Sequence, residues 1–162
     1  MNTNLASAYV LLGNIYSAVG RHEQAAALRS KMDKLGVKKI AGKSWVSDAQ
    51  GVCHTFVADD YSHPLIKQIR EKWNQLATIV GYKPDLSWVL QSESDNQKAL
   101  RLCRHSEKLA LCFALLVLPA DSPIYIVKNL RMCGDCHTTT AQISQIEKRR
   151  ILFVCCFFTL TL

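Results

Sequence analysis

The 162-residue chain has no apolar run long enough to cross a bilayer as a helix. Its apolar tail, ILFVCCFFTLTL from Ile151 to Leu162, counts 12 residues, against the roughly 20 that a span needs. The first residues lack a basic segment leading into an apolar one, so no secretory signal is read there. Charged residues are only 20% and hydrophobic ones 49%. That balance excludes disorder as the default and permits one packed domain with a small appendage. An even set of cysteines is also lacking: there are seven. With no sign of secretion, this argues against a disulfide framework and for a reducing compartment, with some thiols on a metal.

The net charge of +7 is unevenly spread. Residues 1–40 hold six basic and two acidic side chains, 41–97 five and seven, and 98–162 nine and four. The two positive ends would attract a polyanion such as RNA. An ordinary solvated surface accounts for the same charges, and charge alone does not decide between the two.

Leu5, Ala8, Tyr9, Leu12, Ile15, Tyr16 and Val19 recur at helical spacing up to Gly20, and a second helix fits Glu23 to Leu35 before Gly36. Two short helices joined at a glycine form one unit of an α-solenoid, which cannot bury its own faces. After a linker, Trp45-Val46 and Val52, His54, Phe56 predict a β-hairpin turning near Gln50-Gly51. Ser62 and Pro64 start a helix with Ile66, Ile69, Trp73, Leu76, Ile79 and Val80 on its apolar face, closed by Gly81. QSESDNQK opens a helix through Cys103, and HSEKLALCFALLVL a buried helix that could run into a strand. IYIVKNL, Ile124 to Leu130, is the best strand candidate, and a helix follows Cys133 to about Lys148.

Cys133-x-x-Cys136 alone suits a metal, a redox pair or two structural thiols. His105 and Glu107 stand 28 and 26 residues before Cys133, at the start of the apolar helix. His-x-Glu followed by Cys-x-x-Cys, each at a helix N-terminus, resembles the arrangement of zinc-dependent nucleobase deaminases. One imidazole and two thiolates would hold Zn²⁺ and leave a position for water, whose pKa the metal lowers. A glutamate two positions from the histidine can face that pocket without ligating and can shuttle protons. Helix N-termini favour thiolates. Taken singly, His105 could be a surface cap and Glu107 a first-turn carboxylate. Cys53, Cys103, Cys112, Cys155 and Cys156 read as small core hydrophobes.

WVSDAQGVCHTFVADDYSHP, GYKPD, LCRHSEKLALCFALL and PIYIVKNLRMCGDCHTTT resemble, in order and spacing, the DYW domain of plant pentatricopeptide-repeat (PPR) RNA-editing proteins. YVLLGNIYSAVGRHEQAAALRSKM resembles the end of the extension motifs before that domain, and AGKSW its Pro-Gly box, with Ala41 in place of proline. The resemblance covers Ala8 to Arg150. It implies an α/β fold, a cytidine-deaminase-like mixed sheet flanked by helices, preceded by one PPR-like helical hairpin. The implied organisation is a hairpin over 1–40, a deaminase-like domain over 41–150 and an aberrant apolar tail over 151–162, whose first half still resembles a family strand. The implied activity is C-to-U editing of organellar RNA, in mitochondrion or chloroplast. By position, His105, Cys133 and Cys136 match the catalytic zinc ligands, Glu107 the proton shuttle, and His137 a ligand of a second, structural zinc. Phe113 to Ile126 matches a region that gates the site.

Three departures qualify this. Family members continue past Arg150 with a histidine, a Cys-x-Cys pair and a terminal Asp-Tyr-Trp, and this sequence has none of them. The second zinc site is therefore expected to be incomplete, the domain to read as C-terminally truncated, and activity to be open to impairment. Met132 also stands where the usual deaminase pattern has a proline. Only one hairpin precedes the domain, whereas upstream repeats choose the RNA site in this family. The expected partners are thus single-stranded RNA reached through an RNA-binding PPR partner or upstream repeats, and other editing factors, with no membrane. The competing reading is a non-catalytic, zinc-stabilised module that binds RNA or protein in an editing complex.

Overall fold

The computed structural model describes residues 8–9, 12–13, 15–16, 19–37, 41–89, 93–155 and 158–161. It divides into two compact units, residues 1–41 with 90–92, and residues 42–89 with 93–162. In the first, Ala8, Tyr9, Leu12, Gly13, Ile15 and Tyr16 are helical; Leu5 lies outside the described residues. The chain turns at Gly20 and forms α1 (His22–Lys34). Gly36 ends α1 with φ +63°, donating its N–H to the Asp33 carbonyl while Val37 donates to Met32. This is a Schellman closure, in which glycine takes the left-handed conformation without a Cβ penalty.

The second unit is built on a five-stranded mixed sheet of order β2-β1-β3-β4-β5. β1 (Lys43–Ser47) and β2 (Cys53–Val57) form the expected antiparallel hairpin. Its turn is fastened by the Asp48 carboxylate, which accepts from the N–H groups of Gln50 and Val52. β1 pairs antiparallel with β3 (Ile124–Lys128), and β3 pairs parallel with β4 (Ile151–Cys155). β5 (Phe158–Thr161) adds an antiparallel edge.

The helices are α2 (Ile66–Ile79), α3 (Asp95–Cys103), α4 (Ser106–Val117) and α5 (Gly134–Glu147). A short 3-10 turn, Leu86–Trp88, lies between α2 and α3. Ser94 and Gln97 make a reciprocal capping box that starts α3. α4 is buried from Ser106 to Ala114, as a helix apolar on nearly all sides must be. It packs on the sheet through one continuous core with Val46, Phe56, Ile124, Ile126, Ile151 and Phe153, while Ile69, Trp73 and Leu76 of α2 complete that core. α4 ends at Val117 and a turn separates it from β3, so it does not run into a strand. The segment that the resemblance assigns to gating therefore begins in the core at Phe113 and ends in it at Ile124 and Ile126.

Two expectations change. Ser62 does not cap α2: its N–H goes to Asp60, and His63 organises the entry by accepting from the N–H groups of Leu65 and Ile66. Cys53 is exposed, because it begins the edge strand β2; of the four presumed core cysteines among the described residues only Cys112 is fully buried, and Cys156 lies outside the described residues. The first half of the tail, 151–155, is an interior strand whose Ile151 and Phe153 belong to the core. Among the described residues no helix is long and apolar enough to cross a membrane.

Candidate metal centre

Two helix N-termini build the site. His105 is the N-cap residue of α4, with extended backbone and no capping hydrogen bond from its side chain. Its imidazole is therefore available, and Nδ1 lies 3.5 Å from Cys133 Sγ and 3.4 Å from Cys136 Sγ. Cys133 is the N-cap residue of α5, and its sulfur accepts from the Cys136 N–H. One turn of helix brings Cys136 back beside it. Among the described residues, His105, Cys133 and Cys136 form the one group of three donors whose ligand atoms all lie within 4.8 Å of one another.

This donor set fits zinc. Zinc–sulfur and zinc–nitrogen bonds of about 2.3 and 2.0 Å in a tetrahedron place ligand atoms roughly 3.5–3.8 Å apart, close to the separations seen. The thiols already behave as a pair. A hydrogen bond from the Cys136 thiol, opposed by burial and aided by His105, lowers Cys133 to about 5. Cys136 holds the shared proton, is buried, and is pushed well above the ordinary thiol value. One sulfur is thus poised as a thiolate ligand before any metal arrives.

Glu107 is buried in the first turn of α4, within electrostatic range of His105 and Cys136. Lys128 Nζ donates to its Oε1, and the Ser106 hydroxyl donates to its Oε2 at 3.1 Å. An ionised carboxylate only accepts, so Ser106 must be the donor, and the Ser44 hydroxyl, 2.9 Å away, completes the chain by donating to Ser106. Burial pushes the Glu107 carboxyl upward; the Lys128 charge and hydrogen bond outweigh it and hold the group below the usual range.

Lys128, Ser44 and Ser106 were not singled out by sequence. Lys128 could have been: Ile124, Ile126 and Lys128 share one face of β3 by strict alternation, and a lysine on a core face needs a partner. His137 is exposed and joins no second donor group among the described residues. It is one residue beyond Cys136, so the helix turns it by about 100° away from the pocket. No histidine follows it in the sequence, and Cys155 is half-buried on β4.

Fold and donor set together define the class: a deaminase-like α/β domain with a His/Cys/Cys pocket where two helices begin. Residues 81–156 match the DYW family of nucleic acid deaminases, residues 1–47 the E motif and residues 53–76 the E+ motif. The chain carries DYW-family sequence over residues 81–156. Its relatives in Arabidopsis thaliana include pentatricopeptide repeat-containing protein At2g27610, 43% identical over 91% of this chain and 17% of that protein. Pentatricopeptide repeat-containing protein At3g24000, mitochondrial, is 44% identical over 89% of this chain and 23% of its own length. Pentatricopeptide repeat-containing protein At3g57430, chloroplastic, is 42% identical over 94% and 17%. The chain spans about a fifth of the length of these curated relatives.

Proposed function

We propose that this chain is a zinc-dependent cytidine deaminase domain that converts cytidine to uridine in organellar RNA. The observation that carries the reading is the convergence of His105 Nδ1 and the sulfurs of Cys133 and Cys136, with the Glu107 carboxylate buried beside them. Zinc, when bound by those three residues, supplies the Lewis acidity that makes water nucleophilic near neutral pH. Glu107 moves two protons in turn: the first from the attacking water to the ring nitrogen, the second from the hydroxyl so formed to the departing ammonia. Atoms balance as cytidine plus water giving uridine plus ammonia. Lys128 keeps Oε1 charged, while Oε2 is held by a hydroxyl that can rotate away.

RNA is the partner by resemblance to the DYW family, delivered by repeats outside this chain or on a partner protein. Two relatives carry mitochondrial and chloroplastic in their names, which supports an organellar setting. In this reading His105, Cys133 and Cys136 are the zinc ligands, Glu107 is the catalytic residue, and the structural zinc site that would use His137 is incomplete.

Glu107→Ala is expected to retain one equivalent of zinc by metal analysis and to form no uridine in an assay with an RNA-binding partner. Undiminished uridine formation would remove Glu107 from the mechanism. The second reading, a non-catalytic zinc-stabilised interaction module, has one observation in its favour: Lys128 already neutralises Glu107. Zinc bound to the unaltered chain with no uridine in any partnered assay would select it.

A further inference from the structure

Lys108 follows Glu107 in α4, yet its side chain is 1% exposed. Its ammonium donates to Asp135 Oδ2 at 2.6 Å, to the Tyr82 hydroxyl at 2.7 Å and to the Leu102 carbonyl at 2.9 Å. Three donors meet three acceptors, so the charge is fully satisfied. The rings of Tyr82 and Trp73 lie 4.2 and 4.8 Å from it, adding cation–π attraction. Asp135, 2% exposed, also accepts from the Tyr82 hydroxyl and from the Asp85 N–H at 3.0 Å.

The placement of this pair is specific. Asp135 stands between the sulfur donors Cys133 and Cys136, and Lys108 stands three residues after His105 on the same helix. The ion pair therefore joins the helix end that carries the nitrogen donor to the one that carries both sulfurs. Tyr82 and Asp85 brace it from the turn after α2, where Gly81, at φ +60°, ends that helix.

We infer that the Lys108–Asp135 pair is a positioning device that sets the spacing of the two ligand-bearing helix ends, so that zinc affinity depends on it separately from fold stability. The inference rests on the zinc reading above. A buried ion pair can be replaced by apolar residues of similar volume with little loss of stability, and sometimes a gain. A role in general packing would then leave metal binding intact in such a variant, whereas a role in spacing would not.

The test is zinc affinity by competition with a chromophoric chelator, and the visible spectrum of the Co²⁺ form, on the full chain and on Lys108→Met/Asp135→Leu. Urea midpoints and far-ultraviolet circular dichroism monitor the fold. The expected result is a near-unchanged midpoint, zinc affinity lower by roughly ten-fold or more, as for other residues that orient ligands from behind, and an altered Co²⁺ spectrum. Unchanged affinity and spectrum would overturn the positioning role. If the unaltered chain itself binds no zinc, the zinc reading falls first and this inference with it. Should the double variant not fold, Tyr82→Phe removes only the bracing hydroxyl. It is expected to weaken zinc several-fold, and affinity equal to the unaltered chain would then overturn the inference.

Discussion

Glu107 and Lys128 form a buried pair on which both the local fold and the proposed proton shuttle rest. Both are buried, and each is the other's counter-charge. Lys128→Met would leave the Glu107 carboxylate in the core without a cation. Removing one partner of a buried pair costs about 3–5 kcal/mol, much more than losing a surface ion pair. The expected outcome is an unfolding free energy from urea titration lowered by that amount in Lys128→Met and largely restored in Lys128→Met/Glu107→Gln, where no charge is stranded. A single-variant midpoint equal to that of the unaltered chain would show that Lys128 is not the group that compensates Glu107. Gly134 imposes a constraint of another kind. A Cβ there would lie 2.2 Å from the Trp88 ring, so the turn between the two sulfur donors admits the indole only because glycine is present.

The unit β3–α5–β4 positions the sulfur donors, and most of it was legible from sequence. The alternation of Ile124 and Ile126 marked β3, and the Cys-x-x-Cys turn marked the start of α5. The first half of the tail reads as a family strand, and ILFVC alternates as a strand should; which of its residues enter the core depends on the sheet it joins. The structure puts Ile151 and Phe153 in the core and leaves Leu152 and Val154 half-buried. Phe153→Ala is therefore expected to cost about 3–5 kcal/mol in equilibrium urea unfolding, and Leu152→Ala distinctly less. Equal costs would contradict the interior placement of β4. The Lys108–Asp135 pair was illegible for a physical reason: a lysine in an apolar helix normally snorkels to solvent, and only the tertiary meeting of α4, α5 and the turn at Tyr82 provides it with three buried acceptors.

At the scale of the whole molecule, the structure changes what the charge can do. Three of the nine basic side chains in 98–162 do not face solvent: Lys108 and Lys128 are spent on buried carboxylates, and Arg149 is buried against the Ser122 carbonyl. Lys98, Arg101, Arg104, Arg131, Lys148 and Arg150 remain at least partly exposed. Arg101 is held by Glu93 through two bonds, and Arg104 by Asp59, so the RNA of the proposed function would have to compete with those carboxylates. Each phosphate contact to a single strand adds about −0.7 to the slope of log affinity against log salt. Six contacts at most would therefore give a slope no steeper than about −4 for this region. The chain titrated with a fluorescent oligouridylate over a range of salt is expected to stay within that bound when residues 98–162 supply the contacts, and a steeper slope would bring in basic residues outside this region. Neutralising Arg131, Lys148 and Arg150 to glutamine together is expected to flatten the slope by about 2. An unchanged slope in that triple variant would move the RNA-binding charge to residues 1–40, which hold six basic side chains against two acidic.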